Sequence, residues 1–433
     1  MERIWTTDLK GHVGKRVRLA GWLHRLRRLG SVGFLVLRDG KGLAQVVVED
    51  PALVARLAGL HNESVLLVQG LAVAASQAPG GVEVHEPAVE VVSPAGAPPP
   101  FDLFRPVLKP PLPALLEHAA LALRHPRRSA LFRLAAASVV GFRAALHALD
   151  FVEIHTPKIV GAATESGANV FAVDYFGRPA YLAQSPQLYK QIMVGVFERV
   201  FEVGPVFRAE PHDTPRHLNE YVSLDVEVGF IRDHACVMHV LTQVLRGMVA
   251  ALGDEAAEAL GLLGVAAPAV PAAIPCVPFA EALELIAKAT GEDVRREPDL
   301  APAHERWLGD WARREHGSDF LFVTGYPMVK RPFYTHPDPQ QPRFSNSFDL
   351  LFRGLEVVTG GQRLHRYEDY RRALAGRGLD ATPLAGYLEA FRHGMPPHGG
   401  FAIGLERWLA RLVGAPNVRE AALFPRDLHR LTP

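Results

Sequence analysis

The chain of 433 residues is 48% hydrophobic and 21% charged, which describes a globular protein too long for one ordinary core, so two or three domains are expected. Its 47 Lys and Arg almost cancel its 46 Asp and Glu, so any polyanion has to be met by local basic patches rather than by a global field. Two cysteines, Cys236 and Cys276, exclude a disulfide framework and a cysteine-based metal site, and no signal-type apolar core or stretch of about 18 uncharged apolar residues is evident, so a cytoplasmic location without membrane contact is expected.

Residues 1 to about 95 read as five short strands, "RVRLAGWLH", "GFLVLRDG", "LAQVVVE", "SVLLVQGLAVAA" and "VEVHEPAVEVVS", punctuated by Gly and Pro. Five strands in so short a span suggest a small closed barrel of the oligonucleotide-binding type. "SPAGAPPPFD" is Pro-rich and without periodicity, and marks a domain boundary. A connector ending in "RHPRR" follows, and then a helix over 131–150. From 151 onward extended apolar runs alternate with Ala/Leu-rich helical stretches. The segment 233–305 is the most helical and shows no chemistry.

In "FEVGPVFRAEPHDTPRHLNEYVSLDVEVGF", Arg208 and Glu210 are two apart, as are Asp225 and Glu227, and on a strand each pair shares a face. One such pair reads as a salt-bridged surface strand. The pattern recurs, however: "QSPQLYKQ" supplies Gln184, Ser185, Gln187 and Lys190, "SFDLLFRGLEVVTGGQRLHRYE" supplies Asp349, Glu356 and Arg363, and "PPHGGFAIGLERW" supplies Arg407. Buried charges are costly unless paired or bound to a ligand, so four such sets suggest a shared polar cavity on a sheet.

These stretches carry a specific resemblance. "VFRAE" with "RHLNEYVSLDVE" resembles motif 2 of the class II aminoacyl-tRNA synthetases, "GFAIGLER" their motif 3, and "ALDFVEIHTPKIV" with Pro157 their dimer-interface motif 1. "TESGANVF", "QSPQLYKQ", "FDLLFRGLEVVTGGQR" and "GMPPHGGF" narrow it to the aspartyl enzymes, and the compact length is similar to their archaeal-type branch. The resemblance implies a multidomain α+β fold: an OB-fold anticodon-binding barrel (1–100), a connector (101–130), and a class II catalytic domain (131–433) with an antiparallel sheet flanked by helices. It also implies a homodimer with an isologous interface.

The same resemblance implies roles. Arg208 would grip the α-phosphate of ATP and Glu210 face the adenine amino group, with Tyr221 under the purine, Arg407 on its other side, and Arg216 and His217 at the terminal phosphates. Asp349 and Glu356, with Thr359 beside them, match metal-binding positions suited to Mg²⁺. Lys190 and Arg363 match the positions that hold the side-chain carboxylate of L-aspartate, while Glu165, Gln187 and Asp225, with Ser185 nearby, match those around its ammonium group. Asparagine would leave two cations under-paired in a dry site. His398 reads equally as substrate-proximal or as a structural histidine.

In the barrel, Phe34, Gln45 and Glu83 match anticodon-engaging positions, His24 and Arg25 beside them are expected to meet the same RNA, and Arg25, Arg27 and Arg28 could follow phosphates. His24 and the absence of Lys between Ala74 and Pro79 resemble relaxed enzymes that charge both tRNA(Asp) and tRNA(Asn), the latter product then requiring a tRNA-dependent amidotransferase. The alternatives are an asparaginyl-tRNA synthetase or an asparagine-forming paralogue, the latter usually lacking the barrel. From other classes come a non-catalytic tRNA-binding protein on a synthetase scaffold and an oligonucleotide-binding protein with a dimerisation module.

Overall fold

The computed structural model describes residues 2–161 and 169–432. Contacts divide the chain into two units, Met1–Ser129 and Ala130–Pro433.

In the first unit, strands β1 (Arg16–Leu29), β2 (Val32–Arg38) and β3 (Leu43–Val48), helix α1 (Pro51–Ala58), and strands β4 (Val65–Ala74) and β5 (Val82–Ser93) form a closed barrel in the order β1-β2-β3-β5-β4. Alternation fills it: Val17, Leu19, Leu35, Leu37, Val46, Val48, Leu66 and Val68 all point inward. β1 carries a bulge between Leu23 and Arg25, so Leu23 and His24 are both buried and the alternation resumes one residue late. Helix α1 was not expected from the sequence; Asp50 caps it by accepting the Ala52 N–H at 2.9 Å. Short helices α2 (Leu112–Glu117) and α3 (Ala119–Ala122) lie in the connector.

Helix α4 (Pro126–His147) leads into the second unit, whose elements follow as β6 (Val152–Glu153), β7 (Ile159–Val160), β8 (Ala172–Tyr175), β9 (Arg178–Leu182), α5 (Gln187–Phe197), β10 (Arg199–Phe207) and β11 (Glu220–Gly229). Then come α6 (His234–Glu255), α7 (Ala257–Leu263), β12 (Cys276–Pro278), α8 (Phe279–Thr290), α9 (Pro302–His316), β13 (Phe320–Thr324), β14 (Ser347–Phe352) and β15 (Leu355–Gln362). The chain closes with α10 (Tyr367–Gly376), α11 (Ala385–Arg392), β16 (His398–Gly404) and α12 (Leu405–Val413).

Eight strands make the main sheet in the order β12-β13-β14-β15-β16-β11-β10-β6, antiparallel at every junction except β12–β13 and β10–β6. One face is covered by α4 and α6. Both helices are 22 residues long, with mean hydropathy 1.4 and 1.5 in their most apolar windows, a length and apolarity that the sequence reading did not register. Each buries a stripe in the sheet core, Leu134, Phe142 and Leu146 from α4 and Leu241, Leu245 and Met248 from α6. They cross closely at Gly141, where a Cβ would sit 2.4 Å from the Gly247 carbonyl oxygen.

Candidate active site

The opposite face of the sheet carries the polar residues. Along β11, Val222, Leu224, Val226 and Val228 turn to the helices, which leaves Tyr221, Ser223, Asp225 and Glu227 in a row on the other side. Across the strands, the register aligns Asp349, Thr359, Ala402, Asp225 and Glu202 in one line. A bulge in β15 adds Glu356 to this face. Val357 and Val358 both enter the core, so Glu356 and Thr359 emerge together and the Thr359 hydroxyl donates to the Glu356 carboxylate at 3.1 Å. Small residues keep the floor low: a Cβ on Gly400 would stand 2.1 Å from the Glu227 carboxylate.

The expectation that Arg208 and Glu210 share a strand face is corrected. β10 ends at Phe207, and both residues lie in the loop that returns to β11, with their charged groups 3.8 Å apart. Arg208 is nevertheless fixed there, its backbone N–H donating to the Asn219 carbonyl at 2.8 Å. Its guanidinium lies over the Tyr221 ring at 5.6 Å.

A pocket of about 140 Å³ opens at this end of the row. Its walls include Arg208, Glu210, Arg216 and His217 from the loop and Tyr221 from β11, with Glu356 and Thr359 from β15 and Arg407 from α12. Arg407 lies 3.7 Å from Glu356. His217 bonds Thr214 at 2.6 Å, and burial, aided by Arg407, lowers its pKa. Glu406 was not anticipated. Where β16 leaves the sheet, its buried carboxylate accepts the Val222 N–H that the strand would otherwise have bonded, both oxygens at 3.1 Å. Burial pushes it up to about 7.

The other end of the row is drier. Lys190, 1% exposed, donates to Asp225 at 3.0 Å and pairs with Glu227 at 3.3 Å. Arg363 donates to the other Glu227 oxygen at 3.1 Å and to Gln187 at 3.4 Å. Burial alone would push the Glu227 carboxyl up, but Arg363 and then Lys190 outweigh it and hold it below the ordinary carboxylate range. Ser223 donates to Asp225 at 2.5 Å and also lines the first pocket, so the two regions adjoin. Ser185 accepts the Gln187 N–H at 3.1 Å. The two cations thus converge, but Glu227 already answers one charge, a partner the sequence reading left without a role. Glu165 lies outside the described residues. His398 is structural: fully buried, it bonds Gln191 at 3.0 Å and the Pro396 carbonyl at 2.9 Å, and burial lowers its pKa to about 4.

Asp349 is buried against Arg331 at 3.0 Å, another partner the sequence did not suggest. Burial, with Glu356 adding repulsion, pushes its carboxyl up to about 6 despite Arg331. Among the described residues, one Asp349 oxygen has no hydrogen-bond partner. That orphaned oxygen, with Glu356 and the Thr359 hydroxyl on the same face, is a hard-oxygen donor set of the kind Mg²⁺ takes when phosphates complete its shell. The segment 233–305 also carries chemistry after all: Glu305, on α9, binds Arg216 with both oxygens at 2.9 and 3.1 Å and accepts the Glu356 N–H at 2.9 Å.

On the barrel, Arg27 donates to Gln45 at 3.1 Å, Gln45 to Glu83 at 2.9 Å, and His85 meets Glu83 at 2.8 Å, with half-buried Phe34 paired in register to Arg27. Arg28 bonds the Val54 carbonyl at 3.4 Å, and Arg25 lies over the Phe104 ring at 4.2 Å. The expectation that His24 meets RNA is corrected: the β1 bulge turns it inward, 5% exposed, and burial, then Arg38 and His125, lowers its pKa to about 4.

A barrel of this topology in one unit and, in the other, an antiparallel sheet whose polar face carries the charged row define a class II aminoacyl-tRNA synthetase. Residues 113–428 match the family described as tRNA synthetases class II (D, K and N), residues 17–92 match the OB-fold nucleic acid binding domain, and the chain belongs to that synthetase family. It is 49% identical over 431 residues to the aspartate–tRNA(Asp/Asn) ligase of Thermus thermophilus, covering 100% of both chains. It is 46% identical to the ligase of the same name from Deinococcus radiodurans, covering 100% of this chain and 99% of that one. Among solved structures, the asparaginyl-tRNA synthetase of Pyrococcus horikoshii complexed with asparaginyl-adenylate is similar with TM-score 0.93 at 30% identity, covering 100% of both chains.

Proposed function

We propose that the chain activates L-aspartate with ATP and transfers it to tRNA(Asp) and to tRNA(Asn). The observation that carries this reading is the convergence of Lys190 and Arg363 on Glu227 at the dry end of the row. With Asp225 facing the substrate ammonium, the remaining charges of Lys190, Arg363 and Glu227 leave one net positive charge for the side-chain carboxylate. Asparagine would leave that charge unanswered, so aspartate is favoured, though by one cation rather than by the two expected from the sequence. Similarity to two aspartate–tRNA(Asp/Asn) ligases across the full chain supports both the amino acid and the breadth of tRNA choice.

A carboxylate oxygen of aspartate attacks the α-phosphorus of ATP, the bond to the bridging oxygen breaks, and pyrophosphate leaves. Arg208 neutralises the non-bridging oxygens, and the purine lies on Tyr221. Arg407 covers the other side of the purine, Arg216 and His217 take the terminal phosphates, and Gln187 and Asp225 orient the ammonium group. Asp349, Glu356 and Thr359 would hold Mg²⁺, which supplies further charge neutralisation to the phosphates. No side chain need form a covalent bond. The terminal ribose hydroxyl of tRNA then attacks the carbonyl carbon of the mixed anhydride, the bond from that carbon to the phosphate oxygen breaks, and AMP leaves with the hydroxyl proton on its phosphate, while the Arg27–Gln45–Glu83 face and Phe34 engage the anticodon. Motif 1 supports a homodimer, and aspartyl-tRNA(Asn) would pass to a tRNA-dependent amidotransferase.

Pyrophosphate exchange should proceed with aspartate and not with asparagine. The reverse preference would assign the chain to the asparaginyl branch, which the Pyrococcus horikoshii likeness keeps in view. Purified transcripts of both tRNAs should be charged with aspartate; charging of the tRNA(Asp) transcript alone would refute the broader specificity.

A further inference from the structure

Beside the nucleotide pocket lies a second, larger cavity of about 640 Å³, to which the chemistry above assigns no ligand of its own. The two share Arg216, His217, Glu356 and Arg407, so a group leaving the phosphate end of the first faces the second directly. Arg306 and Arg411 line only the second, as do Asp299 and Glu305. Glu305 is committed to Arg216 at 2.9 Å, and Glu356 lies 3.7 Å from Arg407. Asp299 accepts its neighbour's N–H at 2.9 Å at the rim. Arg411 projects from α12, and among the described residues its buried Nε has no hydrogen-bond partner. Burial lowers its pKa; Glu305 is the strongest charge acting on it and raises it, while Arg216, Arg306 and Arg353 all repel it. A half-buried guanidinium crowded by other cations is a place where an anion is missing.

We propose that this cavity is a binding vestibule for inorganic pyrophosphate, which passes Arg216 and is held by Arg411 and Arg306 before it leaves. The inference rests on the proposed activation reaction, because only that reaction places a diphosphate at Arg216. The test uses Arg411→Gln and Arg306→Gln in the full chain, the second guarding against misfolding because Arg306 is exposed. In aspartate-dependent exchange, R411Q should raise the KM for pyrophosphate about tenfold and R306Q should raise it less, with the KM for ATP and for aspartate unchanged. Product inhibition by pyrophosphate should weaken in step. An unchanged KM for pyrophosphate in both variants overturns the proposal. So does a parallel rise in the KM for ATP, which would place Arg411 in the nucleotide pocket, or a rise confined to tRNA, which would make the cavity a backbone-phosphate site. Should the unmodified protein show no aspartate-dependent exchange, the activity reading fails, and calorimetric titration of inorganic pyrophosphate into the unmodified protein and R411Q still decides on the cavity.

Discussion

Arg363 and Lys190 share one counter-ion, and their removal should not be equivalent. Arg363→Gln leaves Glu227 neutralised by Lys190 at 3.3 Å, so the fold should survive while the excess charge for the substrate disappears. The expected outcome is a fall of about 100-fold or more in kcat/KM for aspartate with little change in the KM for ATP, measured by pyrophosphate exchange. His24 offers a titration test in the other unit. Its pKa of about 4 when folded lies below the ordinary 6.5, so the unfolded chain binds more protons between those values. Its contribution is therefore complete above pH 6.5 and is lost as pH falls through 4, up to about 3 kcal/mol in all. Histidine NMR should show the His24 imidazole, like that of His398, staying neutral to about pH 4, and His24→Gln should remove that resonance and flatten the acid side of the stability curve. A His24 resonance titrating near 6.5 would contradict its burial.

The junction between β16 and α12 shows how an element's end can shape a pocket. Glu406 stands in for the missing strand at Val222 and so fixes the neighbouring Tyr221. Glu406→Ala should raise the KM for ATP about tenfold, while Glu406→Gln, which keeps an acceptor, should stay near the original value. Much of this architecture was legible in the sequence, because alternation along β11 sets Asp225 and Glu227 on one face whatever the surroundings. The barrel strands were legible for the same reason. Bulges were not: counting by twos puts Glu356 and Thr359 on opposite faces and His24 on the outside, and each is reversed by one extra residue that no local composition marks. Partners distant in the chain were equally hidden. Glu305 reaches Arg216 across 89 positions, from a helix whose sequence reads only as a good helix former.

For the whole molecule, the near balance of positive and negative side chains means that affinity for RNA has to come from local groups, a role proposed for Arg25, Arg27 and Arg28 on the barrel. Deleting residues 1–100 removes β1–β5 and leaves the sheet with its polar row intact. The truncated protein should keep aspartate-dependent pyrophosphate exchange within a few-fold and lose most tRNA charging at physiological salt. Loss of both activities together would mean that the second unit depends on the first for its fold.

The sandwiching of Glu227 between two cations also bears on how such a protein can change through descent. Replacing Glu227 or Lys190 alone strands a buried charge, at about 3–5 kcal/mol, whereas replacing Arg363 leaves Glu227 paired with Lys190, so a lineage moving from a diacid to its amide finds its first step open at 363 alone. Position 363 should therefore vary first while 190 and 227 are kept as a pair, and laboratory selection for the amide should recover replacements at 363 rather than at the other two.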